Sequence, residues 1–312
     1  MPKYEEISLI EFMNRFPDDD ACREHLFKLR WPEGFRCPVC GHTEYTKHGS
    51  RELYICKSCG HQTSVTAGTI MHGTKVPVRY WFLAAHLIAN DKRGISALRL
   101  SKELDCHYRT AWTMLHKIRK AMTDRDSKYF LSDTVEVDET YVGAPSENGK
   151  RGRGTDKIPV VVSLSLDSKG APAYVKMRVA DKLDRPTISG IIESGISHGA
   201  VIRTDALKVY NYLDTSEHYT HESRASSLQV TEKENEYLKW MHVIISNVKH
   251  MINGTLHGLD RKHIQRYLDE YCYRFNRRKF RGQIFNRLLV ACVSTITITR
   301  RQLMGYAMEV CV

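Results

Sequence analysis

The chain has 312 residues, of which 42% are hydrophobic and 27% charged; this suits two or three packed units and excludes wholesale disorder. Lys and Arg number 47 against 36 Asp and Glu, a formal net charge of +11, and an excess of that size points to a polyanionic partner such as nucleic acid. The opening Met1-Pro2-Lys3-Tyr4-Glu5-Glu6 is polar and no apolar run reaches membrane-spanning length, so neither export nor a membrane is expected. The total of nine cysteines is odd, which fits a reducing cytoplasm better than a disulfide framework.

Helical periodicity runs from Ile7 to Leu29, with Leu9, Phe12, Met13 and Phe16 on one face, and Trp31-Pro32-Glu33-Gly34 ends it. Residues 1–35 therefore read as an N-terminal helical segment. Cys37-Pro38-Val39-Cys40-Gly41 and Cys56-Lys57-Ser58-Cys59-Gly60 follow, with 15 residues between the pairs. Two intervening residues let both thiolates of a pair reach one tetrahedral ion, and the following Gly relieves the tight turn. Residues 36–76 are thus predicted to form a zinc ribbon on Cys37, Cys40, Cys56 and Cys59, with a strand at Leu53-Tyr54-Ile55 and a strand and connector over residues 64–76.

Pro77 suits the first position of a helix through Tyr80, Trp81, Ala84, Leu87 and Ile88. Two further helices, near 94–104 and 110–122, make residues 77–125 a helix-turn-helix region for DNA. Arg109, Lys117 and Arg119 are its candidate DNA contacts, and Ala111, Met114, Leu115 and Ile118 its core.

A third unit spans 130–285. Thr134-Val135-Glu136-Val137-Asp138-Glu139-Thr140 alternates as a half-buried strand, and a strand has no structural need for Asp. A divalent metal ion gives Asp138 a reason. Lys150, Arg151 and Arg153 lie in a Gly-rich loop suited to phosphates. Strands at 158–166 and 173–179, a helix near 184–194 and a strand ending at Asp205 complete an order that fits an α/β ribonuclease H-like domain, with Asp138 and Asp205 on neighbouring strands. From Glu234 to Asn253, Leu238, Met241, Ile245, Val248 and Ile252 form an apolar stripe. His242 and Lys249, two turns apart, share the polar stripe beside it. Arg261 to Arg287 is basic with interleaved aromatics, and Arg277 and Arg278 are candidate backbone contacts for DNA. Residues 286–312 are left as a C-terminal segment.

The joint order of zinc ribbon, helix-turn-helix, Val-Glu-Val-Asp-Glu-Thr-Tyr-Val-Gly, Thr-Asp-Ala, His-Val-Ile-Ile-Ser-Asn-Val-Lys, Gly-Thr-Leu-His-Gly and Tyr-Arg-Phe-Asn-Arg-Arg resembles bacterial insertion-sequence transposases of the zinc-ribbon type, related to Merlin elements. The resemblance implies a DDE-type enzyme in an Asp-Asp-His-Lys variant. Asp138, Asp205 and His242 match the family's metal positions and Lys249 its lysine, with Asn247 and Glu270 as rival third ligands. It implies structural Zn²⁺, catalytic Mg²⁺ or Mn²⁺, double-stranded DNA (element ends and target) as partner, at least two protomers, and a DNA-associated cytoplasmic protein. A ribonuclease H-like nuclease without strand transfer, or a DNA-binding regulator with an inert third unit, are the alternatives.

Overall fold

The computed structural model describes residues 7–143, 157–224, 237–256 and 259–305. They divide into two compact units, one reaching from the N-terminal side to Arg125 and including Lys279–Gly305, the other Asp126–Arg278.

The first unit opens with two helices where one periodic stretch was expected. Helix α1 is Leu9–Arg15 and α2 is Asp19–Arg30. Pro17 cannot continue the first helix, and Asp18 starts the second by accepting the Ala21 N–H at 2.8 Å, a cap contributing about 1 kcal/mol. Strands β1 (Tyr45–His48), β2 (Leu53–Cys56) and β3 (Gln62–Thr63) form a small antiparallel sheet. Residues 64–76 are successive turns rather than the expected strand. The reason is local: Gly68 and Gly73 both take positive φ, and the Thr69 hydroxyl donates to the Thr66 carbonyl at 2.8 Å. Helices α3 (Val78–Asn90), α4 (Ala97–Glu103) and α5 (Tyr108–Asp126) follow, and Pro77 sits just ahead of α3 as its N-cap.

The second unit holds a five-stranded sheet. Strands β4 (Thr134–Val142), β5 (Ile158–Leu166) and β6 (Pro172–Val179) are antiparallel neighbours. Helix α6 (Arg185–Gly195) leads to β7 (Val201–Asp205), and a 3₁₀ stretch, Lys208–Thr215, leads to β8 (Thr220–Arg224). The strand order is β6-β5-β4-β7-β8, with β7 parallel to both its neighbours. Helices α7 (Lys239–Thr255) and α8 (Ile264–Asn276) complete the unit.

Alternation along the strands sorts side chains onto two cores. Val135 and Val137 pack with Ile188 and Ile192 of α6, Ile202 and Tyr210. Val160, Val162 and Leu164 pack on the other face with Met241, Ile244 and Val248 of α7 and Leu268 of α8. Strand β5 contributes to both cores, and for that reason it is an almost unbroken apolar run.

Helix α8 also closes the β6 edge. Asn276 Nδ2 donates to the Val175 carbonyl at 3.1 Å and its Oδ1 accepts the Val175 N–H at 2.8 Å. Gln265 does the same for the Met177 carbonyl and the Val179 N–H, both at 2.8 Å.

Helices α9 (Ile284–Ser294) and α10 (Arg300–Met304) return the chain to the first unit. Phe285 of α9 meets Phe12, Phe16 and Phe82 at ring-centroid distances of 5.9, 5.8 and 6.1 Å. Residues 286–305 are thus part of the N-terminal core, not a separate tail. Among the described residues, no helix is long and apolar enough to cross a membrane.

Candidate active site

Two sites emerge. In the ribbon, the Sγ atoms of Cys37, Cys40, Cys56 and Cys59 all lie within 4.8 Å of one another. The two knuckles are built alike. Cys37 N–H bonds the His42 carbonyl and Cys56 N–H the His61 carbonyl, both at 2.9 Å, and Gly41 and Gly60 turn the chain at φ 76° and 69°. Cys37 and Cys59 Sγ are 3.7 Å apart and Cys40 and Cys56 Sγ 3.5 Å, close to the roughly 3.8 Å edge of a tetrahedral Zn–S₄ centre with bonds of about 2.3 Å. Desolvation works against the Cys37 thiolate, yet the N–H groups of Cys40 and Val39 pull its thiol down to about 6. The donor set fits zinc. His42, His48 and His61 do not join the cluster.

The second site lies on the α7-facing side of the large sheet. Strands β4 and β7 pair in parallel, with Glu136 opposite Arg203. Asp138 and Asp205 come two residues further along each strand and share that face. Burial pushes the Asp138 carboxyl up, and the negative charges of Glu139 and Asp205 push it further, to about 7. The Glu139 N–H, donating to Asp138 Oδ1 at 2.8 Å, and the Lys249 ammonium pull the other way. Lys249 is half-buried; desolvation and the like charge of Lys157 hold its ammonium below the usual lysine range, and Asp138 opposes them. Two carboxylates and one lysine therefore share one electrostatic neighbourhood, a setting suited to a divalent cation.

His242 is exposed in the first turn of α7, two turns ahead of Lys249. Asp138, Asp205 and His242 do not come to common ligand spacing; among the described residues the cysteine tetrad is the only group of three or more that does. Of the rivals, Asn247 is exposed on α7. Glu270 is 1% exposed and 3.5 Å from Arg274 within α8, so it serves the core.

The opposite face of the sheet carries polar contacts of its own. Tyr210, fully buried, donates its hydroxyl to Glu139 at 3.0 Å. Beneath Asp205, Thr204 Oγ1 lies 2.9 Å from His221 Nε2, and His221 Nδ1 lies 2.6 Å from Asp214. Sequence reading passed over Glu136, Tyr210 and His221. Glu136 was findable, because it alternates with Asp138 and so shares its face; Tyr210 and His221 are joined to the site only by tertiary contacts.

Four of the expected DNA contacts make hydrogen bonds within the fold. Arg119 is 1% exposed and donates to the Ile95 carbonyl at 3.4 Å. Lys117 is drawn inward to the Ile70 carbonyl at 2.9 Å. Arg277 binds both oxygens of Asp126, at 2.7 and 3.2 Å, and lies over the Tyr273 ring. Arg278 donates to the carbonyls of Pro172, Ala173 and Phe275. These guanidinium groups satisfy backbone and carboxylate oxygens that would otherwise be buried unpaired. Arg109 is exposed. Lys150, Arg151 and Arg153 lie outside the described residues.

Residues 130–276, the span that carries Asp138, Asp205, His242 and Lys249, match the ISXO2-like transposase domain. Residues 17–62, which hold the four cysteines, match the transposase zinc-ribbon domain. Both matches are to transposase domains, the ribbon ahead of the larger one. An uncharacterized protein in transposable element ISH50 of Halobacterium salinarum is 27% identical over an alignment of 215 residues that covers 63% of this chain and 70% of that protein. The ribbon match begins at residue 17 and so takes in α2. The second match ends at Asn276, at the close of α8 and ahead of the residues that return to the first unit.

Proposed function

We propose that the protein binds the ends of an insertion sequence and catalyses metal-dependent cleavage and strand transfer of DNA. The observation that carries this reading is the placement of Asp138 and Asp205 on adjacent parallel strands, each two residues beyond the Glu136–Arg203 pair, inside a domain that matches a transposase family. The strand order β6-β5-β4-β7-β8, with three antiparallel strands followed by two parallel ones, supports a ribonuclease H-like fold.

In this reading Asp138 and Asp205 would hold Mg²⁺ or Mn²⁺, with His242 as the third ligand that the resemblance implies. The ions, when present, neutralise charge that builds on the attacked phosphate and its leaving oxygen. Lys249, already close enough to Asp138 to feel its charge, holds a non-bridging phosphate oxygen as a point charge. Water attacks the phosphorus at the element end and the 3′ oxygen leaves as a 3′-OH. That hydroxyl then attacks a phosphodiester of target DNA and displaces a second 3′ oxygen, so the number of phosphodiester bonds is conserved in the second step. The zinc ribbon and helices α3–α5 recognise the ends as a helix-turn-helix array, with Arg109 on a phosphate. Joining two ends calls for at least two protomers.

The test is cleavage of a labelled element end in Mg²⁺ and Mn²⁺, comparing wild type with Asp205→Asn and His242→Glu, followed by strand transfer from a pre-cut end. Cleavage by wild type and its loss in Asp205→Asn are expected. Unimpaired cleavage by Asp205→Asn rejects the site. Cleavage without transfer makes the protein a nuclease.

A further inference from the structure

Strand β7 loses one neighbour before it reaches Asp205. Its pairing with β4 closes at Arg203 opposite Glu136, and only the pairing with β8 runs on, to Asp205 opposite Arg224. Among the described residues β8 is the edge of the sheet. The strand end that carries Asp205 is therefore held by the ladder on one side alone. The Asp205 carboxylate adds a long contact, accepting the Leu207 N–H at 3.4 Å.

Side chains supply further support. The Thr204 hydroxyl donates to the Asp205 carbonyl at 2.7 Å, and the Tyr237 hydroxyl donates to the Thr204 carbonyl at 2.9 Å. The carbonyls before and after the Asp205 α-carbon are thus both gripped by hydroxyl groups. Behind Thr204 the series continues. Its Oγ1 lies 2.9 Å from His221 Nε2, and His221 Nδ1 lies 2.6 Å from Asp214 Oδ1. Thr204 is fully buried and the His221 side chain nearly so, whereas the Asp214 side chain is 58% exposed. The series starts at the surface on the 3₁₀ stretch between the two strands, crosses β8 and ends on the backbone of Asp205.

The register puts His221 opposite Ile202, on the sheet face packed by Ile188, Ile192 and Leu213. Apolar side chains at 204 and 221 would suit that face and bury no polar group. Three polar groups stand in series instead. A threonine hydroxyl has one proton and rotates; a ring nitrogen beside it fixes its direction, and a carboxylate on the other ring nitrogen fixes the ring. With Nε2–H donating to Oγ1, the hydroxyl proton is left for the Asp205 carbonyl.

We propose that Thr204 and His221 are positioning residues: the series Asp214–His221–Thr204 fixes the strand end at Asp205, and so the place of its carboxylate on the metal-binding face. The role of Asp205 as a ligand rests on the reading above; the hydrogen-bond series does not.

Ring N–H resonances test the series without DNA or a divalent catalyst. In zinc-loaded protein labelled with ¹⁵N-histidine, a slowly exchanging His221 N–H signal, identified by its loss in His221→Phe, should be present in wild type and disappear in Asp214→Ala. Exchange as fast as that of the exposed His198 overturns the series. Thr204→Val keeps the shape and removes the hydroxyl, whereas Thr204→Ser keeps the hydroxyl. In Thr204→Val, the Mn²⁺ concentration for half-maximal end cleavage should rise about tenfold, with KM for DNA within about twofold of wild type. Mn²⁺ binding to the free protein, followed by electron paramagnetic resonance, should weaken in step, and Thr204→Ser should restore both. Lower stability of Thr204→Val with wild-type Mn²⁺ dependence overturns the positioning role, and so does equal loss in the two variants. Asp214→Ala changes only the surface end of the series and should shift Mn²⁺ dependence in the same direction by less; if Thr204→Val does not fold, an unchanged Mn²⁺ dependence in Asp214→Ala overturns the proposal. If wild type cuts no element end, the proposed function fails, and the ring N–H signal and Mn²⁺ binding still decide this inference.

Discussion

Asp138 and Asp205 lie on adjacent parallel strands, each two residues beyond the facing pair Glu136 and Arg203. Asp138 accepts the Glu139 N–H at 2.8 Å and Asp205 the Leu207 N–H at 3.4 Å. Burial of Asp138 and repulsion between the two make the pair expensive without a cation. Asp138→Asn should therefore abolish end cleavage while raising the stability of the metal-free protein by about 0.5–2 kcal/mol, the common range when a strained functional residue is relieved. Thermal unfolding in chelator, paired with an end-cleavage assay, checks both halves; a variant that is less stable than wild type contradicts the repulsion.

The ribbon has little core of its own. Trp31, Phe35 and Tyr54 stack around one point, with centroids 5.1 Å (Trp31–Phe35) and 5.6 Å (Trp31–Tyr54) apart, and four thiols hold the rest. Elemental analysis should find one zinc per ribbon. Cys56→Ala should lose it, and with it a share of the roughly 10–16 kcal/mol that structural zinc binding supplies in small domains. Near-ultraviolet circular dichroism should then lose the aromatic signal of this cluster. Retention of that signal after complete zinc removal would falsify the structural role.

Two histidines make the first unit sensitive to acid. Burial holds His86 below its ordinary value of 6.5, and burial followed by the charge of Arg15 does the same for His25. The folded state then favours the neutral imidazoles. Above pH 6.5 both states are neutral and stability is complete; below it the unfolded chain takes up protons first, and stability falls until the folded pKa values are passed. Urea midpoints should drop between pH 7.5 and 5.0 for a transition reported by the first unit, and His25→Phe should shrink that drop. A flat profile in the wild type would rule the mechanism out.

Arg109 and Arg277 should separate affinity from stability. Arg277 holds Asp126 in a two-point, largely buried ion pair, and breaking such a pair costs about 3–5 kcal/mol. Arg277→Met should lower the unfolding midpoint of the second unit. Arg109 is exposed, and Arg109→Ala should leave stability within about 0.5 kcal/mol. It should weaken binding to element ends and reduce the slope of log affinity against log salt by about 1. Equal slopes for wild type and Arg109→Ala dismiss the phosphate contact.

Spacing and alternation carried most of what was legible in the sequence. The CxxCG pairs announced the tetrad because two short knuckles fix four thiolates almost alone. Period-two alternation placed β4, and the apolar run placed β5. Asp138 and Asp205 were readable as neighbours from element order, since β4 and β7 are adjacent in the sheet. Charge was a poorer guide. Arg119, Arg277 and Arg278 looked like a DNA-facing surface, but a one-dimensional pattern does not reveal that a guanidinium has a carbonyl or an Asp to satisfy inside the fold. The place of His242 was equally beyond reach, because it depends on how α7 packs on the sheet, through side chains such as Met241, Ile244 and Val248 that meet partners distant in sequence.

The amides of Gln265 and Asn276 have a consequence for assembly. By pairing with the outward N–H and carbonyl groups of β6, they act as a stand-in for a sixth strand built from side chains. A neighbouring copy finds no open ladder there to zip onto, so the sheet is sealed on that side against edge-to-edge growth.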